Sequence, residues 1–173
     1  MSFKLRFPEK QIKYWADRYQ YPGEKELIAG PVTSSRARGY LTKSEFLEIA
    51  RWKTPRSQTR CSRNDPDFVK EVTRLALAPS TSDRLRIESL TLLSGIEWPT
   101  ASVILHFCHR ETYPILDFRA LWSLRCPVPT QYRYPLWSSY TNFTRDLCTR
   151  RDITSRMLDR ALWQYSKEHQ NGA

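Results

Sequence analysis

Residues Leu92 to Leu124 read LLSGIEWPTASVILHFCHRETYPILDFRALWSL. The punctuation of this stretch sets the expected fold. A helix beginning near Ser82 is expected to run to Ser94 and stop at Gly95, because glycine takes up the left-handed conformation that ends helices without a Cβ penalty. Ile96 is the one apolar residue of the turn and is expected to plug it into the core. Pro99 falls where a first-turn proline is tolerated, since its missing N–H would have no intrahelical partner. Ala101, Ile104, Leu105 and Cys108 then recur at offsets of three, four and seven, one face of a second helix. Tyr113-Pro114 breaks the chain, and Asp117 is placed to cap a third helix from Phe118 to Leu124.

The order of these features resembles the helix-hairpin-helix (HhH-GPD) DNA glycosylases. That family carries Leu-Pro-Gly-Val-Gly-x-x-Thr-Ala, an apolar helix, and an aspartate about twenty residues on. Here the run is Leu93-Ser94-Gly95-Ile96-Glu97-Trp98-Pro99-Thr100-Ala101, followed by Pro114-Ile115-Leu116-Asp117. The second run is similar to the adenine glycosylase branch, in which Pro-Ile-Leu-Asp also precedes the helix. The resemblance is close over some thirty-five residues and extends to the flanking helices by pattern alone. It implies an all-α, two-lobed fold with the helix-hairpin-helix at about 82–109. It also implies duplex DNA as partner, a base flipped into a cleft between the lobes, and hydrolysis of the bond from base to sugar. By position it implies hairpin roles for Gly95, Thr100 and Ala101 and the catalytic acid for Asp117; Ile96, Glu97 and Trp98 complete the turn as candidate DNA contacts, and the cation Arg119 is a further candidate contact. Two departures matter. Glu97 replaces the second hairpin glycine and puts a carboxylate beside a phosphate-binding turn. Pro99 stands where the strand-cleaving branch has a lysine, so no amine is available there for a Schiff base, and a monofunctional enzyme is implied.

The chemistry is consistent with that reading. A turn opening a helix offers unpaired N–H groups and a positive dipole end, both suited to a phosphate. Cleavage of an N-glycosidic bond builds positive charge on the sugar, which a fixed carboxylate stabilises while it orients or deprotonates water. Each feature also has a structural reading: helical hairpins with glycine are common, and Asp117 can be a cap alone.

Lys and Arg number 28 against 18 Asp and Glu, a net charge of +10. Such a balance favours an anionic partner, nucleic acid first, although a basic surface also serves solubility. Cys61, Cys108, Cys126 and Cys148 are widely spaced, with no Cys-x-x-Cys pair, so no metal or iron–sulfur site and no cofactor is expected. Cys108 lies on an apolar helical face and reads as core. No apolar run is long enough to span a membrane, and MSFKLRFPEK lacks the apolar core of a signal peptide. A cytoplasmic, nucleoid-associated protein with reduced thiols is expected.

Along the chain, residues 9–20 read as a helix with Ile12, Trp15, Ala16 and Tyr19 on one face. Tyr21 to Tyr40 reads as a loop, with Pro22, Gly23, Gly30, Pro31 and Gly39. Its Arg36 and Arg38, beside Thr33 to Ser35, suit either phosphate contact or a solvated connector. Thr42 and Glu45 form a capping box for a helix burying Phe46, Ile49 and Ala50. At its end, Trp52 suits base stacking or core packing, and Lys53 and Arg56 suit phosphate binding or a wet surface. Lys53 is also the candidate covalent nucleophile. Residues 57–63 read as a basic loop. Asp65-Pro66 opens a helix with Phe68, Val72, Leu75 and Ala76 inward, and the next helix is expected to bury Leu85, Ile87, Leu90, Leu92 and Leu93. After Cys126-Pro127-Val128-Pro129, helices follow over about 135–150 and, capped by Asp152, to about His169. Gln170 to Ala173 are expected to fray. No strand is expected. The lobes are expected to be 1–39 with 126–173, and 40–125, in one compact protein. Two other functions fit the same sequence: a helix-hairpin-helix DNA-binding module without chemistry, and a helical protein-interaction component.

Overall fold

A computed structural model of the chain describes residues 2–170 and is all-α, with no strand among the described residues. No helix is long and apolar enough to cross a membrane. The helices are α1 (Ile12–Asp17), α2 (Glu24–Leu27), α3 (Thr33–Arg38), α4 (Lys43–Lys53), α5 (Gln58–Cys61), α6 (Pro66–Leu77), α7 (Asp83–Leu90), α8 (Trp98–Cys108), α9 (Phe118–Ser123), α10 (Tyr134–Arg151) and α11 (Ser155–His169). Short 3₁₀ turns at Glu9–Gln11 and Pro55–Ser57 lead into α1 and α5. The chain divides into two units: residues up to Gln20 with those from Tyr113 onward, and Tyr21–Thr112. The sequence placed these divisions at 39/40 and 125/126. They fall earlier because the segment after Tyr21 is helical and packs on α4, and because α9 packs on α11.

In the unit Tyr21–Thr112, α8 is the central element. The four positions expected to face inward, Ala101, Ile104, Leu105 and Cys108, are buried, and so are Ser102, Val103 and Phe107. The Thr42–Glu45 capping box forms as expected: the Thr42 N–H donates to Glu45 Oε2 at 2.7 Å and the Glu45 N–H to Thr42 Oγ1 at 3.4 Å. Phe46, Ile49 and Ala50 are fully buried behind it.

Four expectations fail in this unit. The stretch 21–40 is helical rather than loop. Gly23 and Gly39 bracket it, and Pro31 lies inside a π-helical turn, Ile28–Val32. The wider turn accommodates a residue with no N–H to donate. Residues 58–61 form α5 rather than a loop. The buried face of α6 is Val69, Val72, Thr73, Ala76 and Leu77, with Phe68 and Leu75 exposed. Finally, α7 ends at Leu90, not Ser94, and leaves Leu85 and Leu92 exposed, Leu92 at 64 %.

Arg86 takes the inward position on α7 and is 1 % exposed, while Leu85 beside it is exposed. Its Nη1 donates to the carbonyls of Ala76 (2.5 Å) and Ala78 (3.0 Å), and its Nη2 to Thr81 O (2.6 Å). These are carbonyls at and just beyond the end of α6, which lack helical partners and attract a cation.

In the other unit, α11 packs against α1, α9 and α10. The chain's start lies along the end of α9, with Lys4 N donating to Leu124 O (3.0 Å) and Arg6 N to Ser123 O (2.9 Å). Asp117 caps α9 as expected. Asp152 does not cap α11. It ends α10 in the left-handed conformation (φ +49°), and Thr154 is the cap, its hydroxyl accepting from Met157 N at 3.1 Å. Of the tail expected to fray, residues 171–173 lie outside the described residues, and Gln170 still donates its N–H to Ser166 O (2.8 Å).

His109, at the end of α8, is buried. Its Nδ1 accepts the Glu111 N–H (3.0 Å) and its Nε2 lies 2.6 Å from Arg86 Nη1. Burial first, then the Arg86 charge, hold the imidazole below its ordinary pKa of 6.5. The folded protein therefore resists a proton that the unfolded chain accepts, so stability is constant above about pH 6.5 and falls as pH drops below it. Glu45 and Glu168, both depressed, lose their contribution only below the ordinary carboxylate range near 4.5. Thermal melts should thus show Tm falling between pH 6.5 and 5. His109→Gln should remove most of that slope.

Candidate nucleic-acid interface and buried aspartate

The turn from α7 to α8 is held by backbone contact. Gly95 has φ +83°, where a side chain is strained. A Cβ there would stand 2.8 Å from Cys61 Sγ, 3.0 Å from the Cys61 backbone nitrogen and 3.1 Å from Arg60 Cβ. Glycine is thus required both by conformation and by the approach of α5. Asn64 clamps the residue before it: its Oδ1 accepts from Ser94 N (2.7 Å), and its Nδ2 donates to Ser94 O (3.0 Å) and to Cys61 O (2.9 Å). Ile96 is buried as expected, its N–H on Leu93 O at 3.0 Å.

Glu97 is the N-cap of α8, exposed, in extended conformation, and its side chain accepts nothing from the first turn. Trp98 and Pro99 follow, half-buried. Thr100 and Ala101 point into the protein. The Thr100 hydroxyl lies 3.1 Å from that of Thr54. This contact ties the end of α4, with Trp52, Lys53 and Arg56, to the first turn of α8.

Trp52 is packed. Its Nε1 donates to Pro22 O (3.0 Å), and its ring meets Tyr21 and Phe107 edge-on, with centroids 5.1 and 5.5 Å away. It also lines a shallow groove of about 240 Å³ with Gly23, Glu26, Leu27, Glu48 and Arg51. Lys53 is half-buried and Arg56 exposed. Arg36 and Arg38 make protein contacts: Arg36 Nε donates to Phe107 O (2.6 Å) near the end of α8, and Arg38 pairs with Glu45.

Asp117 and Arg119 belong to the other unit. Asp117 is 7 % exposed, and its Oδ1 accepts the Ala120 N–H at 2.8 Å. Two phenols feel its charge. Tyr132 is pushed up to about 12 by burial and then by Asp117. Tyr140, whose hydroxyl donates to Ile115 O (2.9 Å), is raised well above its ordinary value by burial, Asp159 and Asp117. Arg119 lies over Phe118 and Trp163, 5.0 and 5.6 Å from their centroids. Sequence reasoning did not find Tyr132, Tyr140 or Asn64, because nothing in the local pattern ties a loop tyrosine or a single asparagine to a distant turn. Among the described residues no group of three or more His, Cys, Asp and Glu is arranged to share a metal ion.

No protein family, curated protein or solved structure matches this chain.

Gly95→Ala should destabilise the protein by about 2–4 kcal/mol, combining left-handed strain with the clash on Cys61. For a chain of this length that lowers Tm by roughly 5–12 °C. A thermal melt beside Gly30→Ala, where nothing lies within 4 Å of an added Cβ, checks it.

Proposed function

We propose that this protein is a monofunctional DNA glycosylase that excises a modified or damaged base. The observation that carries the reading is that one chain holds both a glycine-enforced turn, opening α8 with no side-chain cap, and a buried aspartate opening α9. The turn's backbone N–H groups hold a DNA phosphate. The target base leaves the stack. As the bond from base to sugar breaks, the bonding electrons go with the base. Asp117 stabilises the cationic sugar and orients the water that adds to the anomeric carbon. The water's proton leaves through the carboxylate, and the base takes up a proton as it departs. With Pro99 before Thr100 there is no amine at the turn, so the strand remains intact at an abasic site.

Asp117 can serve as cap and catalyst together, because a carboxylate offers about four lone-pair sites. A single substitution separates the two roles experimentally. Asparagine is as good an N-cap as aspartate, so Asp117→Asn should keep Tm within a few degrees. Its base release should fall by about 10²–10³-fold, the effect of losing one preorganised electrostatic group. The assay is release from labelled duplex and single-stranded DNA carrying a panel of modified bases, with hot alkali revealing abasic sites. Cleavage by wild type only after alkali supports the proposal. Cleavage without alkali would point to a lyase and to Lys53.

A DNA-binding module without chemistry is the second reading, favoured by Trp52, whose indole N–H and ring edges are already engaged. It predicts retained DNA binding and no base release on any substrate. Both readings make the turn the DNA contact, and Glu97 weakens that contact by repulsion. Glu97→Gly should therefore tighten duplex binding by about threefold to tenfold at low salt. Unchanged affinity in a fluorescence titration would remove the turn from the interface.

A further inference from the structure

Tyr40 follows α3 and is half-buried. Three cations gather on its one ring. Arg38 Cζ lies 4.7 Å from the centroid, Arg74 Cζ 4.8 Å and Lys70 Nζ 5.4 Å. Lys70 and Arg74 are one turn apart on α6, a like-charged spacing that disfavours the helix. An aromatic face attracts each cation separately but does not neutralise any of them.

One carboxylate is at hand, and it is committed. Glu45 accepts the Thr42 N–H in the capping box and pairs with Arg38. The Arg38 guanidinium beside it, together with the Thr42 bonds, holds its carboxyl below the usual range despite burial. Among the described residues, Asp67 and Glu71, the acids of α6, form no ion pair with Lys70 or Arg74. The cluster therefore carries about two uncompensated positive charges, gathered on one rigid ring. The start of α4 is closed by its own capping box and adds no anion site.

We propose that Arg38, Lys70 and Arg74, assembled on Tyr40, form a DNA-backbone phosphate site separate from the α7–α8 turn. This rests on the DNA reading above and adds a second anchor for the strand. A phosphate diester supplies the negative charge that the cluster lacks. Tyr40 holds the two α6 cations close enough to share one phosphate or to bridge two neighbouring ones. Sequence alone gave the charges no such grouping, since residues 38 and 70 are distant in the chain.

The test is the salt dependence of binding to a labelled duplex, measured by fluorescence anisotropy between 50 and 200 mM KCl. Each phosphate contact contributes a slope of about −0.9 in log K against log salt. Lys70→Gln with Arg74→Gln should flatten the slope by about one to two and weaken binding at low salt at least tenfold. Lys10→Gln with Lys25→Gln removes as much charge from exposed positions elsewhere and should change the slope by less than about half of one contact. Tyr40→Phe should match wild type, and Tyr40→Leu should lose part of the effect, because the ring and not the hydroxyl gathers the cations. A Lys70/Arg74 variant that is folded by thermal melt and matches the control pair in slope overturns this site and leaves the DNA reading standing. Wild type that binds no duplex at any salt overturns both.

Discussion

The turn between α7 and α8 depends on one close approach, the Gly95 backbone against Cys61. A backbone this near another backbone admits no side chain, and a second constraint, φ +83°, excludes one independently. Asn64 adds three hydrogen bonds that join Ser94 to the end of α5. With Ile96 buried beneath it, the turn has little freedom, and the direction in which α8 starts is set. That rigidity is what a phosphate site made of backbone N–H groups requires, since such groups have no side-chain torsions with which to reach a ligand. The same contact explains why α5, four residues long and without a helix signal of its own, matters to the site.

The net charge of +10 is what remains after every acid is set against a base, and the fold decides which cations carry it. Arg86 is spent on the carbonyls after α6, and Arg36 on the end of α8. Arg18 is paired with Glu168, Arg151 with Glu9, and Arg156 with Asp159. The exposed pairs among these contribute little to stability, and the charge they cancel is already counted in the net value. The Tyr40 cluster stands out because three cations lie over one ring and a single carboxylate, Glu45, pairs with one of them. Arg38, read from the sequence as part of a phosphate-contacting loop, belongs to that cluster for a different reason: it caps no loop but lies on Tyr40 beside Lys70 and Arg74.

In the proposed reading, one side chain, Asp117, meets two demands. Its bond to Ala120 N fixes the carboxylate in place, which is the preorganisation that electrostatic catalysis uses. The Tyr132 and Tyr140 phenols, raised by burial and by nearby carboxylates that include Asp117, stay protonated across the physiological range.

Several features were legible in the sequence because they are local. The all-α character, the Thr42–Glu45 box, the Asp65-Pro66 and Asp117 helix starts, the inward face of α8 and the left-handed glycine at Gly95 all depend on residues within one or two turns of each other. Tertiary contacts decided the rest. The inward face of α7 carries Arg86, bonded to three carbonyls at and beyond the end of α6, while Leu85 is left exposed. Pro31 lies within a helix rather than a loop because a π turn tolerates its missing N–H. Asp152 yielded its cap to Thr154 when it was taken up in ending α10. The clamp of Asn64 on Ser94 and the gathering of Arg38, Lys70 and Arg74 on Tyr40 join residues about thirty positions apart, and only folding brings such partners within bonding distance.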